Sequence, residues 1–183
     1  MAFIDFRKAF DKINRELLLL KLQRLGIKGL LYENIKEMYK SISYLVKMQG
    51  GHLEPIESSV GLKQGGVLSP LLFNLYIDDM KDIFDNTCDP ITFLKYPLSH
   101  LLYADDLVLI STTQDGLNNC LSKLEHFCDT WHLEVNLKKS QVIIFSTSGR
   151  ILSGYSFKFQ KKSLKIVQSY CYLGIVVVVV VYY

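Results

Sequence analysis

The hydrophobic residues of the chain change their spacing several times, and each change predicts a new secondary-structure element. Residues 1–6, which are apolar apart from Asp5, are typical of a buried strand. Asn14 then offers an N-cap, and leucines follow at helical spacing as far as Gly26, a residue type that often ends helices. A second segment predicts another helix, whose apolar face is made by Leu31, Ile35, Met38 and Ile42.

The next part of the chain predicts a hairpin and a third helix. Residues 44–48 predict a strand, residues 50–51 its turn, and residues 56–60 a short return strand. Ser69 suits the cap and Pro70 the first turn of a helix that continues towards residue 83.

The second half is expected to contain one irregular stretch, one long helix and several short strands. Residues 86–99 are expected to be irregular, because they contain two prolines. Residues 142–145 predict a strand, and residues 157–159 with 164–167 predict a hairpin. The clearest helix has one apolar face made by Leu117, Cys120, Leu121, Leu124, Phe127, Cys128 and Trp131.

Helices that alternate with antiparallel strands predict an α+β fold. We expect an antiparallel sheet with the helices packed on one face. The candidate chemistry would then lie near the edge of the sheet, open to solvent and substrate. The chain shows no internal repeat.

Two adjacent acids, Asp105 and Asp106, interrupt an apolar run at residues 101–110. Burial of unpaired carboxylates is unfavourable, so acids in this setting are normally paired or bound to a metal. Asp5 ends another apolar run. Three carboxylates on two apolar strands suit two divalent cations, an arrangement that favours phosphoryl transfer.

Composition narrows the class of protein only modestly. The chain has 183 residues, 49% hydrophobic and 21% charged, which is typical of a globular protein with a core. The net charge of +3 is too small to indicate nucleic-acid binding by itself. The four cysteines form no CxxC pair, so we expect neither zinc nor disulfides and we expect a reducing, intracellular compartment, whether nucleus or cytoplasm.

No targeting or membrane segment is expected. The N-terminal residues predict a strand rather than a signal peptide. The apolar run at residues 175–181 is shorter than the roughly 20 residues that a membrane helix needs. Residues 176–181 are all valine, and we interpret residues 176–183 as a low-complexity tail from a truncated or miscalled terminus.

Five ordered motifs resemble those of reverse transcriptases from non-LTR (LINE-type) retrotransposons. They lie at residues 3–11, 61–74, 103–106, 133–140 and 172–174. A single YADD sequence is a weak signal, but five motifs in family order and at similar spacing are a specific one. The resemblance covers almost the whole chain up to residue 175 and implies a polymerase palm there.

The resemblance also implies the chemistry. In that family the acids of the first and third motifs bind two Mg²⁺ ions, with Mn²⁺ as a possible substitute, and these acids are Asp5, Asp105 and Asp106 in this chain. The implied activity is an RNA-directed DNA polymerase, which extends a DNA primer 3′-hydroxyl with deoxynucleoside triphosphates (dNTPs) on an RNA template.

Further residues match substrate-binding positions of the family. Phe10 matches the ring that screens the sugar and excludes a 2′-hydroxyl, and Gln64 and Gly65 match the segment against the incoming nucleotide and template. Lys139 matches a lysine that assists the departing pyrophosphate. The residues that match the primer-gripping turn are Tyr172, Leu173 and Gly174.

Departures from the family leave alternatives open. The fingers segment before Asp5 and the thumb after Gly174 are missing, and we expect them in the full-length element. The main alternative is an inactive retrotransposon remnant that keeps the palm fold and binds nucleic acid weakly. An RNA-directed RNA polymerase is less consistent with Phe10, and a nucleotidyl cyclase has no use for residues 64–74. Asp11 is expected mainly to stabilise the start of the following helix.

Overall fold

The structure is a computed structural model that describes residues 1–49, 51–52, 54–146 and 154–179. Within these residues it has four α-helices: α1 (Arg15–Arg24), α2 (Gly29–Lys40), α3 (Ser69–Ile77) and α4 (Gln114–Trp131). The strands are β1 (Ala2–Asp5), β2 (Ile42–Tyr44), β3 (Lys47–Met48), β4 (Gly51–His52), β5 (Ile56–Ser58), β6 (Ile91–Phe93), β7 (Tyr96–Leu98), β8 (His100–Tyr103), β9 (Asp106–Leu109), β10 (Gln141–Val142), β11 (Lys158–Phe159), β12 (Lys162–Ser163), β13 (Lys165–Ile166), β14 (Ser169–Tyr172) and β15 (Ile175–Val178). Short 3-10 helices lie at Phe10–Lys12, Asp78–Ile83 and Asn86–Cys88.

The chain divides into two compact units. The larger unit contains residues 1–7 and 79–183, and the smaller unit contains residues 8–78. No helix in the described part of the chain has both the length and the hydrophobicity that a membrane crossing requires.

A five-stranded sheet is the centre of the larger unit. Its strand order is β13-β10-β1-β9-β8, with β1 antiparallel to both of its neighbours and β13 parallel to β10. The apolar run that ends at Asp5 therefore forms the middle strand, which explains why its residues 2–4 are buried. The α+β class predicted from the sequence is confirmed.

One face of this sheet is covered by the hairpin of β14 and β15. Phe3 and Val108, which are register partners, lie in a buried cluster on this face. Tyr170, Tyr172 and Val177 from the hairpin pack against that cluster. Because side chains alternate along a strand, Phe3 and Asp5 project from the same face of β1.

The valine run contributes to this hairpin. Residues 175–178 form β15, which pairs with β14 in antiparallel register from Ser169 with Val178 to Tyr172 with Ile175. Residues 180–183, the end of the segment that we interpreted as a tail, lie outside the described residues. The domain boundary at residue 175 remains a prediction.

The long helix α4 matches its prediction. The Thr113 hydroxyl accepts a hydrogen bond from the Gly116 backbone N–H and caps the helix. Its buried side chains recur every three or four residues, from Leu117 to Trp131. Gly116 allows close packing, because a Cβ there would lie 2.7 Å from the carbonyl oxygen of Cys88.

The stretch at residues 86–99 is more regular than predicted. It contains the hairpin of β6 and β7, in which Thr92 pairs with Pro97. Proline is tolerated because these two strands form a sheet of their own, so the missing N–H of Pro97 can face away from the partner strand. The strand predicted at residues 142–145 is shorter and lies at Gln141–Val142.

The smaller unit begins with a helix whose ends were predicted correctly. The Asn14 side chain accepts a hydrogen bond from the Leu17 N–H, 3.1 Å away, and caps α1. The helix ends at Arg24, and Gly26 follows with a left-handed φ of +85°.

The predicted apolar face of α2 is partly wrong. Ile35 is buried as expected, but Leu31 and Met38 are exposed, and Tyr39 provides the second buried position. Ile42 lies outside the helix, because the chain leaves α2 after residue 40 and pairs Ile42 with Ser58 across β2 and β5.

The predicted cap of α3 is also wrong. Leu68 occupies the N-cap position and Ser69 is the first helical residue, with Pro70 in the first turn as expected. The Ser69 hydroxyl instead donates to the carbonyl of Lys63, so it secures the loop before the helix. Part of the turn predicted at residues 50–51 lies outside the described residues, since residue 50 is not described.

Candidate active site

Asp5 and Asp106 lie next to each other on adjacent strands. They are register partners in the antiparallel pair of β1 and β9, and both side chains are half-buried. Residues directly opposite in such a pair have Cβ atoms about 4.5–5.5 Å apart. Two carboxylates from distant parts of the sequence thus share one face of the sheet.

The backbone of Asp5 is fixed from the side of residues 134–140. Its N–H donates to the hydroxyl of Ser140 over 3.0 Å, and its carbonyl accepts from the N–H of Asn136 over 2.7 Å. Ser140 is fully buried. Because both backbone groups of Asp5 are satisfied, the residue that carries the first carboxylate cannot shift without breaking these bonds.

Asp105 lies in the tight turn that joins β8 to β9. Tyr103 pairs with Asp106, so Ala104 and Asp105 alone make the connection. Ala104 has a φ of +50°, a left-handed conformation that is unfavourable for residues other than glycine. The turn places Asp105 directly before Asp106 in the chain.

The surroundings of the Asp106 carboxylate disfavour its charged form. Burial, followed by the charges of Asp105 and Asp5, raises the pKa of the Asp106 carboxyl. Lys139 provides a cation nearby, with its Nζ 3.7 Å from Oδ1 of Asp5, but its side chain is 69% exposed. A long, exposed ion pair of this kind compensates little of the repulsion.

The covering hairpin brings two tyrosines to the same region. The Tyr170 ring stacks on Phe3 with centroids 4.5 Å apart, and the Tyr172 ring lies 5.9 Å from it. Burial, followed by the charges of Asp5 and Asp106, raises the pKa of the Tyr170 hydroxyl. Burial, followed by the charge of Asp106, raises the pKa of the Tyr172 hydroxyl.

The predicted primer-gripping turn connects β14 to β15. Tyr172 pairs with Ile175, and both Leu173 and Gly174 have left-handed φ values, +48° and +78°. Positive φ at both central residues is the geometry of a two-residue hairpin turn. Leu173 is half exposed at the tip.

The donor set suits a hard divalent cation. Within the described residues, no group of three or more His, Cys, Asp or Glu side chains is arranged to hold a metal ion. Magnesium, however, is usually bound by only one or two carboxylates together with substrate phosphates and water. The Asp5–Asp106 pair, with Asp105 beside it, fits that requirement by its chemistry and by its uncompensated charge.

The other predicted substrate-binding residues belong to the smaller unit. Phe10 is half-buried and stacks on Phe73, with ring centroids 4.4 Å apart. Gln64 is exposed and donates its Nε2 to Oδ1 of Asp11 over 2.6 Å. Gly65 has a φ of +76° and open space around it. The structure thus groups the acids with Lys139 and the 172–174 turn in one unit, and Phe10 with Gln64 and Gly65 in the other.

Two structurally important residues escaped the sequence analysis. Ser140 is the last residue of the fourth motif, and its place just before the apolar run at residues 142–145 was the signal for a buried role. Arg15 is only 6% exposed. Its guanidinium donates to the carbonyls of Ser58, Val60 and Gly61 over 2.6–2.9 Å. The signal for Arg15 was its place three residues before Leu18, on the buried face of α1.

Comparison with known proteins gives consistent matches. A family model described as reverse transcriptase (RNA-dependent DNA polymerase) matches residues 1–177. The chain is 30% identical over 154 residues to a retrovirus-related Pol polyprotein from a type-1 retrotransposable element R2 of Nasonia vitripennis, covering 82% of this chain and 14% of that protein. It is 27% identical over 183 residues to the RNA-directed DNA polymerase from mobile element jockey of Drosophila melanogaster, covering 95% and 19%.

A third relative has the same pattern. The probable RNA-directed DNA polymerase from transposon BS of Drosophila melanogaster is 28% identical over 147 residues, which cover 76% of this chain and 16% of that protein. The chain therefore spans less than a fifth of the length of each of these relatives.

Proposed function

Because the chain belongs to the reverse transcriptase (RNA-dependent DNA polymerase) family, we propose that it forms the palm of an RNA-directed DNA polymerase. In this proposal the protein joins dNTPs to the 3′-hydroxyl of a DNA primer on an RNA template and releases pyrophosphate. The observation that carries the proposal is the register of Asp5 against Asp106, with Asp105 in the adjoining turn.

Asp5, Asp105 and Asp106 would hold two Mg²⁺ ions, or Mn²⁺ in their place. When bound, such ions lower the pKa of the attacking hydroxyl and neutralise charge on the leaving phosphate. The half-buried setting of these carboxylates supports this role, because excluding water strengthens their attraction for a cation. Lys139, beside Asp5, would place its ammonium group near the departing pyrophosphate.

The remaining assignments concern the substrates. Phe10 would exclude the 2′-hydroxyl of a ribonucleotide, and its stacking on the buried Phe73 supports a fixed ring position. Gln64 and Gly65 would contact the incoming nucleotide. The turn at residues 172–174 would contact the primer end. Fingers and thumb segments of the full-length element would complete the binding of the template.

Primer extension tests the proposal. The purified chain is incubated with an RNA template, a DNA primer, dNTPs and either Mg²⁺ or Mn²⁺. We expect extension by the native sequence and loss of it in Asp5→Asn and Asp106→Asn, while Asp115→Asn, an exposed acid at the start of α4, retains it.

The main alternative is a remnant that has kept the fold without the activity. It predicts no extension by the native sequence with either ion, together with cooperative unfolding and weak, salt-sensitive binding to the primer–template duplex. That combination of results would replace the polymerase proposal with the binding one.

A further inference from the structure

The orientation of the Gln64 side chain is set by one carboxylate. Its Nε2 lies 2.6 Å from Oδ1 of Asp11. An ionised carboxylate can only accept hydrogen bonds, so Gln64 must turn its NH₂ group towards Asp11. Asp11 uses one of the two N–H donors of Gln64 and fixes the plane of the amide, so that the carboxamide oxygen, an acceptor, is available to another molecule in one orientation.

The backbone beneath this contact is held firmly. The N–H of Leu62 donates to the carbonyl of Phe10, and the N–H of Gly61 donates to the carbonyl of Ile13, each over 2.8 Å. Gly61 lies so close to Asp11 that a Cβ would be 2.6 Å from the carbonyl oxygen of Asp11. The two segments that carry Asp11 and Gln64 are therefore in direct main-chain contact.

Arg15 also stabilises the segment that precedes Gln64. Its buried guanidinium holds the carbonyls of Val60 and Gly61, immediately before Leu62. Gln64 itself is exposed. An exposed amide on a well-anchored backbone, with one N–H bound to Asp11, holds its carboxamide oxygen in one direction, where a ligand can donate to it.

We propose that Asp11 is a positioning residue that makes Gln64 present its carboxamide oxygen, and not its NH₂ group, to the nucleotide substrate. The proposal rests on the proposed function, and within it names the recognised group as a hydrogen-bond donor of the nucleotide. Such donors are the sugar hydroxyl or an exocyclic amino group of the base. Without Asp11 the amide would rotate between two orientations and offer the wrong polarity part of the time.

The first arm of the test does not need activity. In nitrogen-15 NMR spectra, the side-chain NH₂ signals of Gln64, assigned with Gln64→Leu, are compared in the native sequence, Asp11→Leu and Asp11→Asn. We expect Asp11→Leu to shift them and to speed their exchange with water, and Asp11→Asn, which keeps an acceptor oxygen, to largely retain them. Unchanged signals in Asp11→Leu would overturn the positioning role, even if the protein proves to have no polymerase activity.

The second arm measures substrate use by primer extension. We expect Asp11→Leu to raise the KM for dNTPs by about five- to tenfold, the effect of one lost hydrogen bond, with little change in kcat. Asp11→Asn should restore most of the loss. In a Gln64→Leu background, Asp11→Leu should have no further effect, because Asp11 would act only through Gln64. An equal effect in both backgrounds would contradict the proposal.

The same assay identifies the donor. If the sugar hydroxyl is recognised, Asp11→Leu raises the KM equally for all four dNTPs. It then leaves the KM for 2′,3′-dideoxynucleotides, which lack that hydroxyl, unchanged. If a base amino group is recognised, dTTP, which has no exocyclic amino group, is unaffected. A rise in KM that follows neither pattern would show that Gln64 does not accept from the nucleotide and would overturn the assignment.

Discussion

Asp5 and Asp106 are direct register partners across β1 and β9, so that two like charges face each other at one end of two neighbouring inner strands of the sheet. Nearby described residues include the charged Asp105 and Lys139 and the neutral hydroxyls of Tyr170 and Tyr172, whose pKa values are raised. Natural sheets avoid like charges in directly opposed positions, because the pair destabilises the fold. A protein that keeps such a pair sacrifices stability for a function at that position.

Asp106→Asn should therefore stabilise the fold at neutral pH. The pKa of Asp106 is raised in the folded state, so the folded protein binds this proton more tightly than the unfolded chain. The protonated Asp106 therefore contributes stability at low pH, and this contribution is lost as the pH rises from the ordinary aspartate pKa through the raised one. Above that pH range, the free energy of unfolding of the native sequence is lowered by the ionised Asp106. The gain in Asp106→Asn should be present at pH 7 and absent at a pH below the ordinary value.

Urea unfolding at several pH values measures this gain. Asp115→Asn, which removes an exposed acid from the same unit, is the matched control and should show no such gain. A loss of stability in Asp106→Asn at pH 7 would contradict the account of the acid cluster. In primer extension the same variant should be reduced by about 1000-fold, since several kcal/mol of charge stabilisation are lost.

Divalent cations should raise the midpoint of thermal unfolding. A cation that binds the folded state at the acid cluster adds stability that grows with its concentration, and relieves the repulsion between Asp5 and Asp106. We expect MgCl₂ or MnCl₂ to raise Tm above that in NaCl of equal ionic strength. The rise should disappear in Asp5→Asn and persist in Asp115→Asn; a rise of equal size in all three would place the ion elsewhere.

Phe10→Val should relax sugar selection. The Phe10 ring stacks on Phe73, which is 1% exposed, so the position of the Phe10 ring is fixed. A smaller side chain would remove the steric exclusion and raise ribonucleotide use relative to deoxynucleotide use by about tenfold or more. Primer extension with competing nucleotides measures the ratio. Phe73→Leu removes the stacking partner but retains the Phe10 ring, so it should change the ratio less than Phe10→Val does.

Arg15→Met should destabilise the smaller unit strongly. The guanidinium satisfies three main-chain carbonyls, of Ser58, Val60 and Gly61, and methionine leaves them without this donor. We expect a loss of about 2–4 kcal/mol in the free energy of unfolding. Arg15→Lys should lose less, because lysine can still donate to one or two of them. Arg24→Met, at an exposed position of α1, should stay within about 0.5 kcal/mol of the native sequence.

Gly61→Ala and Gly26→Ala form a matched pair. Their φ values, +84° and +85°, are nearly equal, so the backbone penalty of about 1–2 kcal/mol should be the same for both. Only Gly61 would place its Cβ against the backbone of Asp11, whereas Gly26 has open space. Gly61→Ala should therefore lose about 1–3 kcal/mol more in urea unfolding. Equal losses would mean that the contact with Asp11 is loose.

The sequence predicted best those elements that local patterns determine. The apolar stripe of α4, the Asn14 cap of α1 and the hairpin around Asp105 all follow from neighbouring residues, and the structure contains all three. The pairing of Asp5 with Asp106 is different, since no local pattern selects the partner of β1. The apolar setting of three carboxylates suggested a shared site, and the ordered motifs of the family gave the stronger indication that these acids would meet.

The wrong or missed predictions concern individual hydrogen bonds and strand edges, which the spacing of apolar residues does not mark. Ser69 was expected to cap α3, but the carbonyl of Lys63 competes for its hydroxyl. Arg15 was not singled out, because arginine is usually exposed and because its carbonyl partners lie at the end of β5 and just after it, more than 40 residues further along the chain. Pro97 suggested an irregular loop, yet proline fits a strand whose outer edge pairs with no other strand of the described residues.

The central position of β1 bears on how the protein is made in the cell. Ala2 pairs with Leu109 on one side and with Val142 on the other. During translation the strand leaves the ribosome long before either neighbour exists, and pairings this distant form slowly. Until then β1 is an apolar strand with both edges unpaired, which favours aggregation. The yield of folded protein should therefore depend on chaperones that bind this strand until residue 142 has been synthesised.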